Sequence, residues 1–177
     1  RLHSGDLSIY SALAEQLRRL GQHRIPYTLT PGVPAFAAAA AALQCELTLP
    51  EVAQSVVLTR VSGRASRMPE EEKLSAFAST GATLVIHLAI HAIETIVAEL
   101  MPFYGANCPA AVVVQASTPA EQILRGTLAD IAAKTAAAKI ERTALIMIGP
   151  ALVAEEFRDS ALYDADYRRR FRGGAAP

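Results

Sequence analysis

The chain has 177 residues, 51% of them hydrophobic and 19% charged, a balance that excludes a disordered or purely solvating segment. Seventeen Lys and Arg residues cancel seventeen Asp and Glu, so no overall field draws the molecule to nucleic acid or to a membrane; an anionic partner must meet a local cluster of Arg or Lys. No apolar run reaches the length of about 18 residues that a spanning helix needs, and Cys45 and Cys108 lack metal spacing, which points to a reducing compartment, the cytoplasm.

Ser4-Gly5-Asp6-Leu7-Ser8 is turn-like and leads into Ile9, Leu13, Leu17 and Leu20, spaced as one face of a helix that Gly21 is placed to stop. Tyr27 to Thr30 is β-prone, and Pro31-Gly32-Val33-Pro34 breaks it before an alanine-rich helix. Leu47 to Pro50 reads as an extended link, which places a domain boundary near Gln44 to Leu49. Ser55 to Thr59 is a strand, and Glu70, Glu71 and Glu72 open a helix where negative charge suits the dipole. Thr83 to Leu88 is a strand, Ile90 to Leu100 a helix, and Ala110 to Val114 a strand. Ile123 to Thr127 is a short antiparallel strand, Leu128 to Ala138 a helix, and Ala144 to Ile148 a final buried strand. This alternation predicts α/β layers with a mostly parallel sheet. Arg168 to Arg172 reads as a basic tail without the interleaved aromatics of a nucleic-acid binder.

Single features leave several functions open. Asp6 fits a helix N-cap as well as it fits a ligand acceptor on a strand-to-helix loop. Pro31 to Ala35 is either an ordinary turn or a helix N-terminus whose N–H groups point at a ligand. His87 and His91 are four apart, but one ends a strand and the other starts a helix, with no third ligand nearby, so no metal is indicated. Arg60, Arg64 and Arg67 share one loop, as a solvated surface or as guanidinium forks for carboxylates.

Four segments taken in order narrow the field. Leu2 to Tyr10 is similar to an "hxxGDPxxY" loop, and Ile25-Pro26-Tyr27 through Phe36 to "IPYxVxPGVSSF". Glu46 to Glu51 with Leu58-Thr59-Arg60 and Gly63-Arg64 forms the third, and Arg125 to Ile131 with Thr143 to Ile146 and Gly149-Pro150-Ala151 the fourth. Together they resemble the tetrapyrrole methylase family, and within it the members that act on precorrin-4. The resemblance implies an α/β fold of two domains, with a parallel sheet in the N-terminal domain and a mixed sheet in the C-terminal one. Residues 1–44 would be the remainder of the first, residues 45–165 the second, and residues 166–177 a basic tail.

The implied activity is transfer of a methyl group from S-adenosylmethionine to C11 of precorrin-4 in corrin synthesis, leaving S-adenosylhomocysteine. The partners implied are a tetrapyrrole substrate and a second copy in a homodimer, with no nucleic acid and no membrane. By the same resemblance Gly5, Asp6, Leu7, Ile9, Pro34, Ala35, Leu88, Ala89, Ala116, Pro150 and Ala151 line the cofactor pocket, and Arg60, Arg64 and Arg67 bind the substrate carboxylates. No catalytic base is identified. Two departures stand out: Leu7 replaces the usual proline, and Pro34 replaces a serine or threonine. The chain opens on Arg1-Leu2-His3 without a Met, and the family's opening GxGPGD strand-turn is absent from residues 1–177. The expectation is a chain lacking one sheet strand and one wall of its pocket. The alternatives are another ring methylase (for cobalt-precorrin-4, precorrin-3 or uroporphyrinogen III) and a non-catalytic nucleotide-binding or dimerisation module.

Overall fold

Runs of β-branched and aliphatic residues become the strands, and the computed structural model describes residues 1–63, 67–155 and 157. The five strands are β1 (Val56–Arg60), β2 (Thr83–His87), β3 (Pro109–Val114), β4 (Gln122–Thr127) and β5 (Ala144–Ile148). They form one sheet in the order β1-β2-β5-β3-β4. Only β1 and β2 run parallel; β2–β5, β5–β3 and β3–β4 are antiparallel. The sheet is therefore mixed, as expected for the second domain, and not the mostly parallel one that strand–helix alternation suggests. One hairpin accounts for the difference. The β3–β4 turn reverses the chain, so the next crossover delivers β5 pointing the same way as β4, and it slots between β2 and β3 against both.

Five helices accompany the sheet: α1 (Leu13–Gln22), α2 (Ala35–Leu43), α3 (Leu74–Ala78), α4 (Ile93–Tyr104) and α5 (Ile131–Ala137). Alternation along the strands divides the core in two. Leu84, Ile86, Val112, Ile146 and Ile148 face α3, α4 and α5 and pack with Leu74, Ile96, Leu100 and Ile131. Val85, Ala111, Val113, Leu145 and Met147 face the other way and pack with Ala39 and Leu43 of α2. Alanine on α2 lets that helix lie close to the sheet.

Several boundaries differ from the periodicity. Tyr10 and Ala12 take left-handed φ values of 51° and 53°, so α1 starts at Leu13 and leaves Ile9 outside. Gly21 falls inside α1, which His23 ends. Glu70–Glu72 form a single 3-10 turn, and α3 begins after it, its Ser75 N–H capped by Glu99 Oε1 at 3.0 Å. Thr127 to Asp130 is used in a turn, which moves the start of α5 to Ile131. Tyr27 to Thr30, though β-prone, joins no ladder, and residues 1–44 contribute helices and no strand to the sheet. The basic tail lies outside the described residues.

The free flank of edge strand β4 is closed at its C-terminal end by side chains of the turn and helix that follow it. Lys134 Nζ donates to the Arg125 carbonyl at 2.9 Å, Thr127 N–H donates to Asp130 Oδ1 at 2.8 Å, and the two side chains pair at 2.7 Å. Gly126 makes room for them: a Cβ there would come within 3.0 Å of Lys134 Nζ. No helix among the described residues is long and apolar enough to cross a membrane.

Candidate functional site

The sheet has two rims. At the finishing rim β1, β2 and β3 end and β5 begins; at the starting rim the reverse holds. Arg125 Nη2 donates to the Leu43 carbonyl at 2.5 Å, and Thr83 Oγ1 to the Leu47 carbonyl at 2.9 Å, so α2 ends at the starting rim. Its N-terminal turn, Pro34 and Ala35, is accordingly directed toward the finishing rim. Binding sites of open α/β sheets lie beyond the strand C-termini, and here the loops of residues 5–10 and 31–35 gather there.

A carboxylate holds those two loops together. Asp6 Oδ1 accepts the Ser8 N–H at 2.8 Å and the Ser8 hydroxyl, while Oδ2 accepts the Gly32 N–H at 2.8 Å. The Ser8 hydroxyl, then the Ser8 and Gly32 N–H groups, hold the Asp6 carboxyl below the usual carboxylate range. Asp6 is thus a loop-to-loop fastener, a role between the two readings its sequence left open. Gly5 sits at φ 72°, and a Cβ on Gly32 would lie 3.0 Å from the Gly5 carbonyl carbon and 3.3 Å from the Asp6 Cα. The α2 N-terminus carries no side-chain cap. Its N–H groups can therefore receive an anionic group, while the ionised Asp6 beside them suits a cationic centre. Next to this tie a cleft of about 440 Å³ is lined by Gly5, Leu7, Gly32 and the apolar side of α1.

At the end of β2, His87 shares register with Arg60 of β1, and the Tyr10 ring lies over the imidazole, centroids 5.1 Å apart and planes 54° apart. His87 is only 8% exposed, and its Nε2 has no hydrogen-bond partner among the described residues. Burial lowers the His87 pKa and keeps the ring neutral. Burial raises the Tyr10 pKa, with Arg60 opposing and Glu72 adding to the shift. Arg60 folds back on its own loop: Nη1 donates to the Val61 carbonyl at 3.2 Å and Nη2 to the Arg67 carbonyl at 3.3 Å. Arg67 is exposed on the same loop, and Arg64 lies outside the described residues.

The remaining expected residues divide by rim. Leu88 follows His87 at φ 54° and is 69% exposed, whereas Ala89 is buried in the core on the α4 side. Ala116 lies just past β3 on the α2 side. Pro150 and Ala151 sit at the starting rim, because Gly149 follows β5 and bonds to the Pro109 carbonyl at 3.1 Å. A strand of five residues, about 16 Å, separates them from Leu88. Ala151 is buried with Leu49 and Ala53. Three residues of the site were not singled out by sequence reasoning. Tyr10 was visible only as the last letter of its loop motif, and His87 only as one of two histidines at metal spacing. Gly32 stood unremarked inside a turn. Among the described residues no group of three or more metal-ligating side chains is assembled.

Residues 1–132 match the family described as Tetrapyrrole (Corrin/Porphyrin) Methylases. The precorrin-4 C(11)-methyltransferase of a Sinorhizobium species is 68% identical over 98% of this chain and 68% of its own length. The cobalt-precorrin-4 C(11)-methyltransferase of Methanocaldococcus jannaschii is 44% identical over 97% of this chain and 66% of its own. Among solved structures, the X-ray structure of a cobalamin-biosynthetic cobalt precorrin-4 methyltransferase superposes with a TM-score of 0.83 at 34% identity. It covers 87% of this chain, which spans 64% of that one.

Proposed function

The chain belongs to the tetrapyrrole (corrin/porphyrin) methylases, and on that premise we propose that its protein transfers a methyl group from S-adenosylmethionine to C11 of precorrin-4. One observation carries the reading: 68% identity, over 98% of the chain, to a relative named for that reaction. Identity to the cobalt-precorrin-4 enzyme is lower, at 44%, which favours the metal-free ring as substrate.

The geometry supports a division of labour. Gly5, Asp6, Leu7, Ile9, Pro34, Ala35, Leu88 and Ala116 hold the cofactor at the finishing rim; Ala89 takes part only through its backbone, and Pro150 and Ala151 are too far away to join them. The uncapped α2 N-terminus receives a carboxylate and the ionised Asp6 faces a positive centre, the two charges that S-adenosylmethionine carries. That cofactor supplies an electrophilic methyl group on a sulfonium. The chain's own residues supply position: the fastened loops fix the donor, and Arg60 and Arg67 take peripheral carboxylates of the ring. Reacting atoms must come within about 3–3.5 Å, and no protein nucleophile is required. Residues 1–44 form part of one domain and residues 45–165 a second, and the protein works as a cytoplasmic homodimer, as the family resemblance implies.

Calorimetry with S-adenosylhomocysteine, followed by mass spectrometry of precorrin-4 incubated with the donor, tests this. Binding and gain of one methyl are expected. Absence of both sinks the reading, and methylation of cobalt-precorrin-4 alone replaces it with the cobalt form.

A further inference from the structure

The α2 N-terminus receives the cofactor's carboxylate in the function proposed above, yet nothing in the middle of α2 fixes how far along the sheet that end is carried. Residues 37–42 are all alanine, and only Phe36 and Leu43, near the two ends, bear larger side chains. Helices are held along their axes by ridges of side chains lodged in the grooves of their neighbours, and a run of methyl groups makes only shallow ridges. The axial position of α2 is therefore set at its ends. The Asp6–Gly32 bond acts just before its first turn. At the last turn the Gln44 and Cys45 N–H groups bond to the Ala41 and Ala40 carbonyls, with Gln44 at φ 55°. The Leu43 carbonyl, left over by that turn, takes the guanidinium of Arg125.

Arg125 is well mounted for this grip. It stands opposite Ala111 of β3, so its side chain shares the sheet face on which Ala111 packs toward α2. Its own carbonyl is held by Lys134 Nζ at 2.9 Å, so the guanidinium extends from a strand fixed on both flanks. A cation at a helix C-terminus also meets the negative end of the dipole. The charge lies close enough to Cys45 to oppose the rise that burial gives its thiol. Nine residues make α2 about 13.5 Å long, a rigid rod whose two ends move together. We infer that Arg125 is a positioning residue for the cofactor: by gripping the C-terminal end of α2 at the starting rim, it sets where the N-terminal N–H groups stand at the finishing rim. It acts through the helix and touches no reacting group. This rests on the cofactor reading of the α2 N-terminus.

Calorimetry with S-adenosylhomocysteine well below the thermal midpoint tests this, with the amide NMR signal of Gly32 as a monitor of the α2 N-terminus. Arg125→Met keeps an unbranched stem and removes the donors. It should weaken affinity by about tenfold and shift the Gly32 signal even without ligand. Arg125→Lys retains a donor on a flexible stem and should recover affinity to within about threefold of the wild type. Thr83→Val removes a different anchor of the starting rim, the bond to the Leu47 carbonyl beyond α2. It should lower the thermal midpoint while leaving affinity and the Gly32 signal alone. Arg125→Gln stands in should the methionine variant not fold. An arginine that serves stability alone would lower the midpoint and leave affinity unchanged, and that result overturns the inference. An equal loss of affinity in Thr83→Val overturns it too, as does a lysine variant no better than the methionine one. If the wild-type chain fails to bind S-adenosylhomocysteine, the cofactor reading falls. The Gly32 signal of ligand-free Arg125→Met then decides separately: a shift keeps Arg125 as the anchor that places α2, and no shift rejects it.

Discussion

The backbone of Gly5 presses against that of Gly32 so closely that a Cβ on Gly32 would lie 3.0 Å from the Gly5 carbonyl carbon, and Asp6 fastens the contact by accepting the Gly32 N–H. Two loops separated by the whole of α1 thereby act as one surface. Gly32 cannot carry a side chain without parting them.

Gly32→Ala should therefore separate the loops. No residue from 1 to 34 is buried, so the core is indifferent and the thermal midpoint should move little. Affinity for S-adenosylhomocysteine should instead fall by about tenfold or more. Calorimetry checks this, and Gly21→Ala, where a Cβ meets nothing within 4 Å, is the control expected to bind normally.

The two described arginines of the β1 loop should behave differently. Arg67 is exposed, so Arg67→Ala should raise the KM for the tetrapyrrole by about tenfold while leaving stability alone. Arg60 also bonds to the Val61 and Arg67 carbonyls, and Arg60→Ala should add a lowered thermal midpoint to the same KM effect. Steady-state kinetics with thermal melts would show it; equal behaviour of the two variants contradicts this account.

Alkali should unfold the protein through buried acids. Burial pushes the Cys108 thiol up to about 11 from 9.0, and the Tyr104 hydroxyl up to about 12 from 10.0. Tyr104 donates to the Ala82 carbonyl at 2.5 Å. The unfolded chain releases these protons first, so their stabilising effect is complete below pH 9 and lost as the pH climbs through 11. Cys108→Ala should flatten that decline in melts recorded across this range. Tyr104→Phe should cost about 1 kcal/mol at neutral pH, because the Ala82 carbonyl loses its donor.

Acid acts through His87. Its pKa in the folded state lies below the ordinary 6.5, so the unfolded chain takes up the proton first. The stability it permits is present above pH 6.5 and declines as the pH falls below that value. Melts of His87→Phe should lack this part of the acid-side decline.

Strand identity was legible because β1, β2, β3 and β5 are dense in Val, Ile and Leu, which commits them to a pleated interior whatever their direction. Direction was not. Whether β5 enters the sheet with or against β2 depends on one upstream hairpin and on which gap remains open, and neither is encoded in Ala144 to Ile148. Tyr27 to Thr30 shows the converse: β propensity without a neighbouring strand produces no ladder. At the candidate site, the family motif pointed to Gly5 and Asp6, but the Asp6–Gly32 bond and the Tyr10–His87 contact are long-range. Local pattern therefore could not separate a capping carboxylate from a fastening one, or a spaced pair of histidines from a single buried ring. The reversal of β5 also explains why Pro150 and Ala151, named by the same motifs, lie at the other rim.

An edge strand normally invites a second molecule to add to the sheet. At the C-terminal end of β4 the invitation is withdrawn by an exposed ion pair, Asp130 with Lys134, whose atoms occupy the Thr127 N–H and the Arg125 carbonyl that a visiting strand would need. The closure is electrostatic and lies at the surface, so salt weakens it. The closure of this edge is thus entrusted to two side chains far from the finishing rim, and their loss would be seen as light scattered by a crowded solution.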